Sequence, residues 1–207
     1  VWTGSMNFTL SDAYGNRNNL VRIRSSALAE NFLTEFEEMF NYHQFGPSSP
    51  ANTPYPMVEI DGHMVETYFS PEDGTLARLV TLVDEAKESI YFMAFSFTSD
   101  DLAAALLRAR DRGVEIQGIL DKAQALSNQG GEFQNLTNNG IDVQLDGEGG
   151  NMHHKVLIID RGIVVTGSYN FSAGAERQND ENTLIIHSED IAQEFLAEFS
   201  RIREFAE

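Results

Sequence analysis

The stretch His153-His154-Lys155-Val156-Leu157-Ile158-Ile159-Asp160, followed by Gly167-Ser168-Tyr169-Asn170, decides how this chain folds. Successive side chains of a β-strand alternate between its two faces. His153 and Lys155 therefore share a face. His154 opposes them, which predicts an outward surface position for it. Ser168 and Asn170 share a face of a second strand. Asp160-Arg161-Gly162 lies between two apolar runs and reads as a tight hairpin turn. An imidazole, an ammonium, a hydroxyl and an amide thus converge on one patch. That set suits a phosphodiester, which needs a nucleophile or acid and several donors for its phosphate oxygens.

A second feature concerns the whole chain. Shifted by 163 positions, the beginning overlays the end without a gap. Val1, Thr3, Gly4, Ser5, Asn7 and Phe8 match Val164, Thr166, Gly167, Ser168, Asn170 and Phe171. Further on, Asn16 and Asn19 match Asn179 and Asn182, and Phe32, Leu33, Glu35 and Phe36 match Phe195, Leu196, Glu198 and Phe199. An internal repeat of this kind governs the reading of everything else. Gly4-Ser5-Met6-Asn7 is then the tail of an earlier copy of the motif, without its histidine and lysine. The expected organisation is a remnant of a first half (1–43), a proline-rich linker (44–57) and a complete second half (58–207). The chain reads as a fragment of a protein carrying two motifs in tandem.

Composition sets outer limits. The net charge is −18, so the surface as a whole repels nucleic acid and anionic membranes. The chain has no cysteine, which removes disulfides, thiolate metal sites and cysteine nucleophiles. Hydrophobic residues make up 42%, enough for a real core, yet no apolar run of spanning length occurs. The expectation is a soluble fragment whose compartment is open, whether secreted, periplasmic or cytoplasmic.

Along the chain, Val1–Thr3 and Leu20–Ile23 read as strands. Leu28, Phe32, Phe36 and Met39 form one face of a helix ending near Tyr42. Four of the five prolines fall in His43–Met57. Val65–Phe69 reads as a strand, and Ser70-Pro71-Glu72-Asp73 as a capped helix start. Strands are expected at Ile90–Phe97, Val114–Leu120, Ile141–Leu145 and Asn182–Ile186. Helices are expected around Leu102–Ala109, Glu132–Asn139 and Ile191–Ile202. Strand–helix alternation followed by a hairpin predicts an α/β fold, a mixed sheet with helices on both faces.

The spacing H-x-K-x4-D-x6-G-S-x-N resembles the HKD signature of the phospholipase D superfamily. The resemblance takes in Tyr68-Phe69-Ser70-Pro71-Glu72-Asp73 and Asn179-Asp180-Glu181-Asn182, and extends over about residues 58–207. It implies a phospholipase D-like αβα sandwich. It also implies a metal-independent, cofactor-free phosphodiester hydrolase working through a phosphohistidine, with one histidine from each of two motifs. By the same resemblance, His153 is the second-motif histidine, favoured as acid/base. Lys155 and Asn170 bind phosphate, with Ser168 supporting them, and Ser5 and Asn7 offer further contacts. Gly167 allows close backbone approach, Asp160 is architectural, and Glu181 accepts from the other ring nitrogen of His153. The repeat places Asn18 opposite Glu181, an amide in place of an acid. No metal cluster is evident.

The resemblance leaves the substrate open between nucleic acid and phospholipid. A phosphatidyl transferase of the cardiolipin synthase kind, or a scaffold with a degenerate first site, stands as the alternative. The expected partner is the missing N-terminal half, supplying a second histidine and lysine, or a second copy in a dimer. His43, His63 and His187 read as ordinary residues. Tyr91, Phe92, Phe95 and Phe97 read as core. Gly147-Glu148-Gly149-Gly150 is either the substrate entrance or a plain loop.

Overall fold

The computed structural model describes residues 1–147 and 149–207. The chain begins with β1 (Trp2–Gly4), α1 (Leu10–Tyr14), β2 (Leu20–Arg22) and α2 (Ser26–Tyr42). A hairpin of β3 (Met57–Ile60) and β4 (His63–Ser70) follows, then α3 (Thr75–Glu85), β5 (Ser89–Ala94), α4 (Asp100–Asp111) and β6 (Glu115–Leu120). Next come α5 (Lys122–Ser127), α6 (Phe133–Asn138) and β7 (Asp142–Leu145). The chain closes with β8 (Lys155–Ile159), β9 (Ile163–Gly167), α7 (Ala173–Arg177), β10 (Glu181–His187) and α8 (Glu189–Arg203).

Eight strands form one mixed sheet in the order β3-β4-β10-β9-β8-β5-β6-β7, and β1 pairs with β2 in a separate ribbon. β5, β6 and β7 are parallel and the other pairs antiparallel. Period-two alternation sorts the side chains. Ile90, Phe92, Leu157, Ile159 and Val165 face α3 and α4. Tyr91, Met93, Val156, Ile158 and Val164 face Ala192, Phe195, Phe199 and Ile202 of α8. Helices thus cover both faces, as the strand–helix alternation predicts. Each large apolar side chain so buried contributes about 1.5–3 kcal/mol. A third cluster, Leu28 with Val65, Leu184 and Ile186, fastens α2 and the ribbon to β4 and β10.

The repeat is visible as geometry. Ser5 N–H donates to the Asn19 carbonyl at 3.1 Å, and Ser168 N–H to the Asn182 carbonyl at 3.0 Å. Thr166 Oγ1 donates to Asn19 Oδ1 at 2.8 Å, and Thr3 Oγ1 reciprocally to Asn182 Oδ1. Gly4 and Gly167 have φ of +149° and +155°. A Cβ at either would fall 2.4 Å or 2.1 Å from the carbonyl oxygen of Asn19 or Asn182. Thr9 and Ser172 cap α1 and α7, and Ser25 and Ser188 cap α2 and α8. The ribbon and the β9–β10 pair are therefore related by a local pseudo-two-fold, with crossed hydrogen bonds between them.

Two expectations require correction here. Ser70 caps no helix: it ends β4, its hydroxyl donates to the Ala175 carbonyl at 2.7 Å, and Ser70–Pro71 is cis. α3 starts five residues later, with Gly74 in the left-handed region as its cap. His154 is not on the surface, being 1% exposed. Alternation does oppose it to His153, but the face it joins is the one α8 covers. Its Nδ1 accepts from Asn19 Nδ2 at 3.1 Å, and its Nε2 lies 3.5 Å from Glu198 Oε1. Burial pushes its pKa down despite that carboxylate.

Candidate active site

β8 and β9 position the site because their turn is sharply defined. Asp160 and Arg161 both adopt left-handed φ, of 48° and 55°. The Asp160 carboxylate accepts from the backbone N–H groups of Lys87, Glu88 and Ser89. Those three amides, against the cost of burial, hold its pKa below the usual carboxylate range. The motif's aspartate thus anchors the far end of the hairpin, and the chemistry lies at the other end.

There a cavity of about 530 Å³ is lined by His153, Lys155, Ser168, Asn170, Glu181 and Asn182 on one side. Trp2, Ser5, Met6, Asn7 and Phe8 form the opposing wall. Every candidate residue read from the motif faces this space except Asp160, and Gly167 lies beneath it, fully packed. Gly147, Gly149 and Gly150 do not line it; Glu148 is outside the described residues.

His153 is held from several directions. Its N–H donates to the Arg17 carbonyl at 2.6 Å, and Arg17 N–H donates back to Asn151 at 2.9 Å. The Arg17 guanidinium pairs with Asp146 and reaches the Gly149 carbonyl at 3.0 Å. The ring of Phe95 meets the imidazole edge-on, centroids 4.6 Å apart. Nδ1 lies 2.9 Å from the Ser5 carbonyl oxygen. A carbonyl only accepts, so this contact assigns the proton to Nδ1 and leaves the Nε2 lone pair free for the cavity. Burial lowers the His153 pKa, the Lys155 charge lowers it further, and Ser5 and Asp12 oppose both.

The Glu181 expectation is thereby revised. The His153 Nδ1 partner is the Ser5 main chain, not Glu181, whose Oε1 accepts from Asn179. Glu181 acts on Lys155, where its charge opposes the effect of burial. Lys155 is 3% exposed, donates to the His153 carbonyl at 2.9 Å and stands 4.9 Å over the Phe95 ring. Burial brings its pKa down to about 7. Ser168 Oγ accepts from both the backbone and side-chain nitrogens of Asn182, at 3.0 and 3.2 Å, leaving only its own proton to give. Ser5 is pinned to Asn19 in the same manner. Among the described residues the Asn170 Oδ1 has no partner, so the amide is free to turn an N–H toward a bound oxygen.

The sequence reading passed over Arg17 and Asp12 and took Phe95 for core, whereas Phe95 is half-buried against His153 and Lys155. Phe95 had a usable signal, since it follows β5, the strand beside β8. Arg17 and Asp12 lie in the N-terminal segment and break the repeat, with Asp180 and Ala175 at the matching positions. Chemically the arrangement offers one imidazole with a free Nε2, one titratable ammonium and amide donors around a space the size of a phosphoryl group and its substituents.

Comparison with known proteins agrees with this chemistry. The model of the family described as cardiolipin synthase, PLD-like domain, matches residues 79–203. A phospholipase D of Rickettsia felis is 34% identical over 161 residues, 78% of this chain and 80% of that protein. The human mitochondrial cardiolipin hydrolase is 33% identical over 132 residues, 64% of this chain and 52% of that protein. Among solved structures, Nuc from Salmonella typhimurium, a phospholipase D family member, superposes with a TM-score of 0.67 at 31% identity, covering 70% of this chain and 97% of its own. NucT from Helicobacter pylori gives 0.66 at 26% identity, covering 70% and 98%. With the motif residues gathered in one cavity on the matching fold, this chain belongs to the phospholipase D superfamily.

Proposed function

We propose that the protein hydrolyses phosphodiesters through two histidines, with His153 as the acid/base member. The observation that carries this is the free Nε2 of His153 opening on the cavity beside Lys155 and Asn170. In the reaction, a second imidazole attacks phosphorus and the bond to the leaving oxygen breaks as protonated His153 gives that oxygen its proton. Neutral His153 then takes a proton from water as water displaces the phosphohistidine. Lys155 and Asn170 hold the non-bridging oxygens, a preorganised set of donors. General acid help of this kind is worth about 10²–10⁴-fold.

The second histidine and lysine belong, in this reading, to a first half of which residues 1–43 are the tail. Among the described residues β1 pairs with β2 alone, whereas its counterpart β9 also pairs with β8. The open edge is where a strand equivalent to β8 fits. Exposure supports the same conclusion. Phe8 is 87% exposed while its counterpart Phe171 is 1%, packed on Phe97; Phe36 is 52% exposed and Phe199 2%, packed on Tyr91. The exposed rings are core residues of a body equivalent to β5 through β8. That body completes the site; a second copy approaching the same face meets residues 1–43 already lying there.

Charge favours a zwitterionic phospholipid over a polynucleotide. Lys155 is the only lysine or arginine among the described lining residues, and the chain carries −18. Tracking a nucleic-acid backbone takes several cations, each neutralising a phosphate. Assay of the intact protein on phosphatidylcholine vesicles and on a fluorescent oligonucleotide separates the two. Release of choline is the expected result. Cleavage of the oligonucleotide with no action on vesicles overturns the substrate assignment, and action on neither overturns the enzymatic reading.

A further inference from the structure

Asp12 lies on α1, in the segment that packs against the second half, and no motif includes it. It is 5% exposed, a buried carboxylate. Its Oδ2 accepts from Asn7 N–H at 2.7 Å, and its Oδ1 from the Asn16 side chain. The same Oδ2 stands 4.0 Å from His153 Nδ1, the nitrogen that also meets the Ser5 carbonyl at 2.9 Å. Asn18, at the position that the repeat aligns with Glu181, contributes no charge; its amide donates to the Asp12 carbonyl at 2.8 Å and steadies α1.

We propose that Asp12 is the positioning acid of His153, its charge stabilising the imidazolium that forms when Nε2 takes up a proton. This rests on the reading of His153 as acid/base. A carbonyl fixes the tautomer but carries no net charge. A carboxylate 4.0 Å away, on a side chain 5% exposed beside an imidazole 15% exposed, supplies the counter-charge. The other charges facing His153 act against protonation: Lys155, two residues on at the start of β8, and His154 beside it. The charge of Glu181, on the same wall of the cavity, acts on Lys155. Asp12 is thus the one carboxylate among the described residues within ion-pair reach of His153. Its own pKa stays below the ordinary value: burial raises it, but Asn7, Asn16 and the His153 charge outweigh that.

The test is the ¹⁵N NMR titration of His153 in the 207-residue protein, in wild type, Asp12→Asn and Asp12→Glu. Asp12→Asn keeps the size of the side chain and removes its charge. The expected result is a His153 pKa lower by about one unit in Asp12→Asn and restored by at least half in Asp12→Glu. The acid-form limb of the turnover profile in the intact protein moves by the same amount. An unchanged His153 titration in Asp12→Asn overturns the inference, as does a lowered value that Asp12→Glu leaves lowered. If Asp12→Asn does not fold, the Asp12→Glu comparison with wild type decides: an unaltered tautomer and a titration within half a unit support it, and a shift beyond that overturns it. The titration needs no turnover. A protein that titrates as expected yet hydrolyses no phosphodiester keeps this inference and sinks the functional one.

Discussion

Burial brings the Lys155 ammonium into the neutral range, with its pKa down to about 7. Its charged form therefore dominates below that pH and is lost above it. Affinity for dimethyl phosphate, which keeps one negative charge throughout, should weaken as pH rises from 6 to 8; isothermal titration reads it, and a flat profile contradicts the assignment of Lys155 as the phosphate cation. The same shift has a stability consequence. Because the folded-state pKa lies below the unfolded one, the unfolded chain binds more protons between them, and the cost of burying this ammonium is progressively relieved as pH climbs through that window. Gly167 makes a different demand. A Cβ there would sit 2.1 Å from the Asn182 oxygen at a φ of +155°, so Gly167→Ala should destabilise by roughly 2–4 kcal/mol in urea unfolding. At this scale the sequence was legible where spacing carried the information: His153, Lys155, Ser168 and Asn170 all face one cavity. It was not legible for Asp12, since an acid on a five-residue helix leaves no periodic trace.

Among elements, the segment from Asn16 to Asn19 does most to fix the catalytic strand. It hydrogen-bonds Asn151, accepts from His153 N–H and holds His154 through Asn19. The pair that its Arg17 makes with Asp146 is almost dry, with side chains 9% and 3% exposed. Arg17→Met strands a buried carboxylate and should cost about 3–5 kcal/mol, measured as a lowered midpoint of urea unfolding. A loss under 1 kcal/mol would show that the strap is incidental. Long helices were readable from periodicity, because the apolar positions of α4 and α8 repeat over two turns or more, and β5 from its continuous apolar run. α1, α5 and α7 were not, having five or six residues each. The buried position of His154 followed from alternation together with the placement of α8, and only the first of these is written locally. β3 was masked by the prolines before it, although Asp61-Gly62 marks its hairpin with β4.

The whole molecule is organised about a local two-fold whose two sides are unequally furnished. Reciprocal hydrogen bonds among Thr3, Asn19, Thr166 and Asn182 hold the axis, and that symmetry was present in the sequence as a gapless shift. What the shift could not reveal was the direction of the crossing, in which the Ser5 carbonyl, not Glu181, meets His153. The phosphate set consists of imidazole, ammonium and amide groups, so hydrolysis by the intact protein should persist in EDTA; abolition that a divalent ion restores would require a different mechanism. The fold relation to Nuc and NucT is a property of about seven-tenths of the chain. The most direct test is hydrolysis of bis(p-nitrophenyl) phosphate by the intact protein and its His153→Ala variant. The account predicts a loss of at least about 10³-fold with an unchanged unfolding midpoint. Turnover equal to wild type in a folded His153→Ala protein would contradict it.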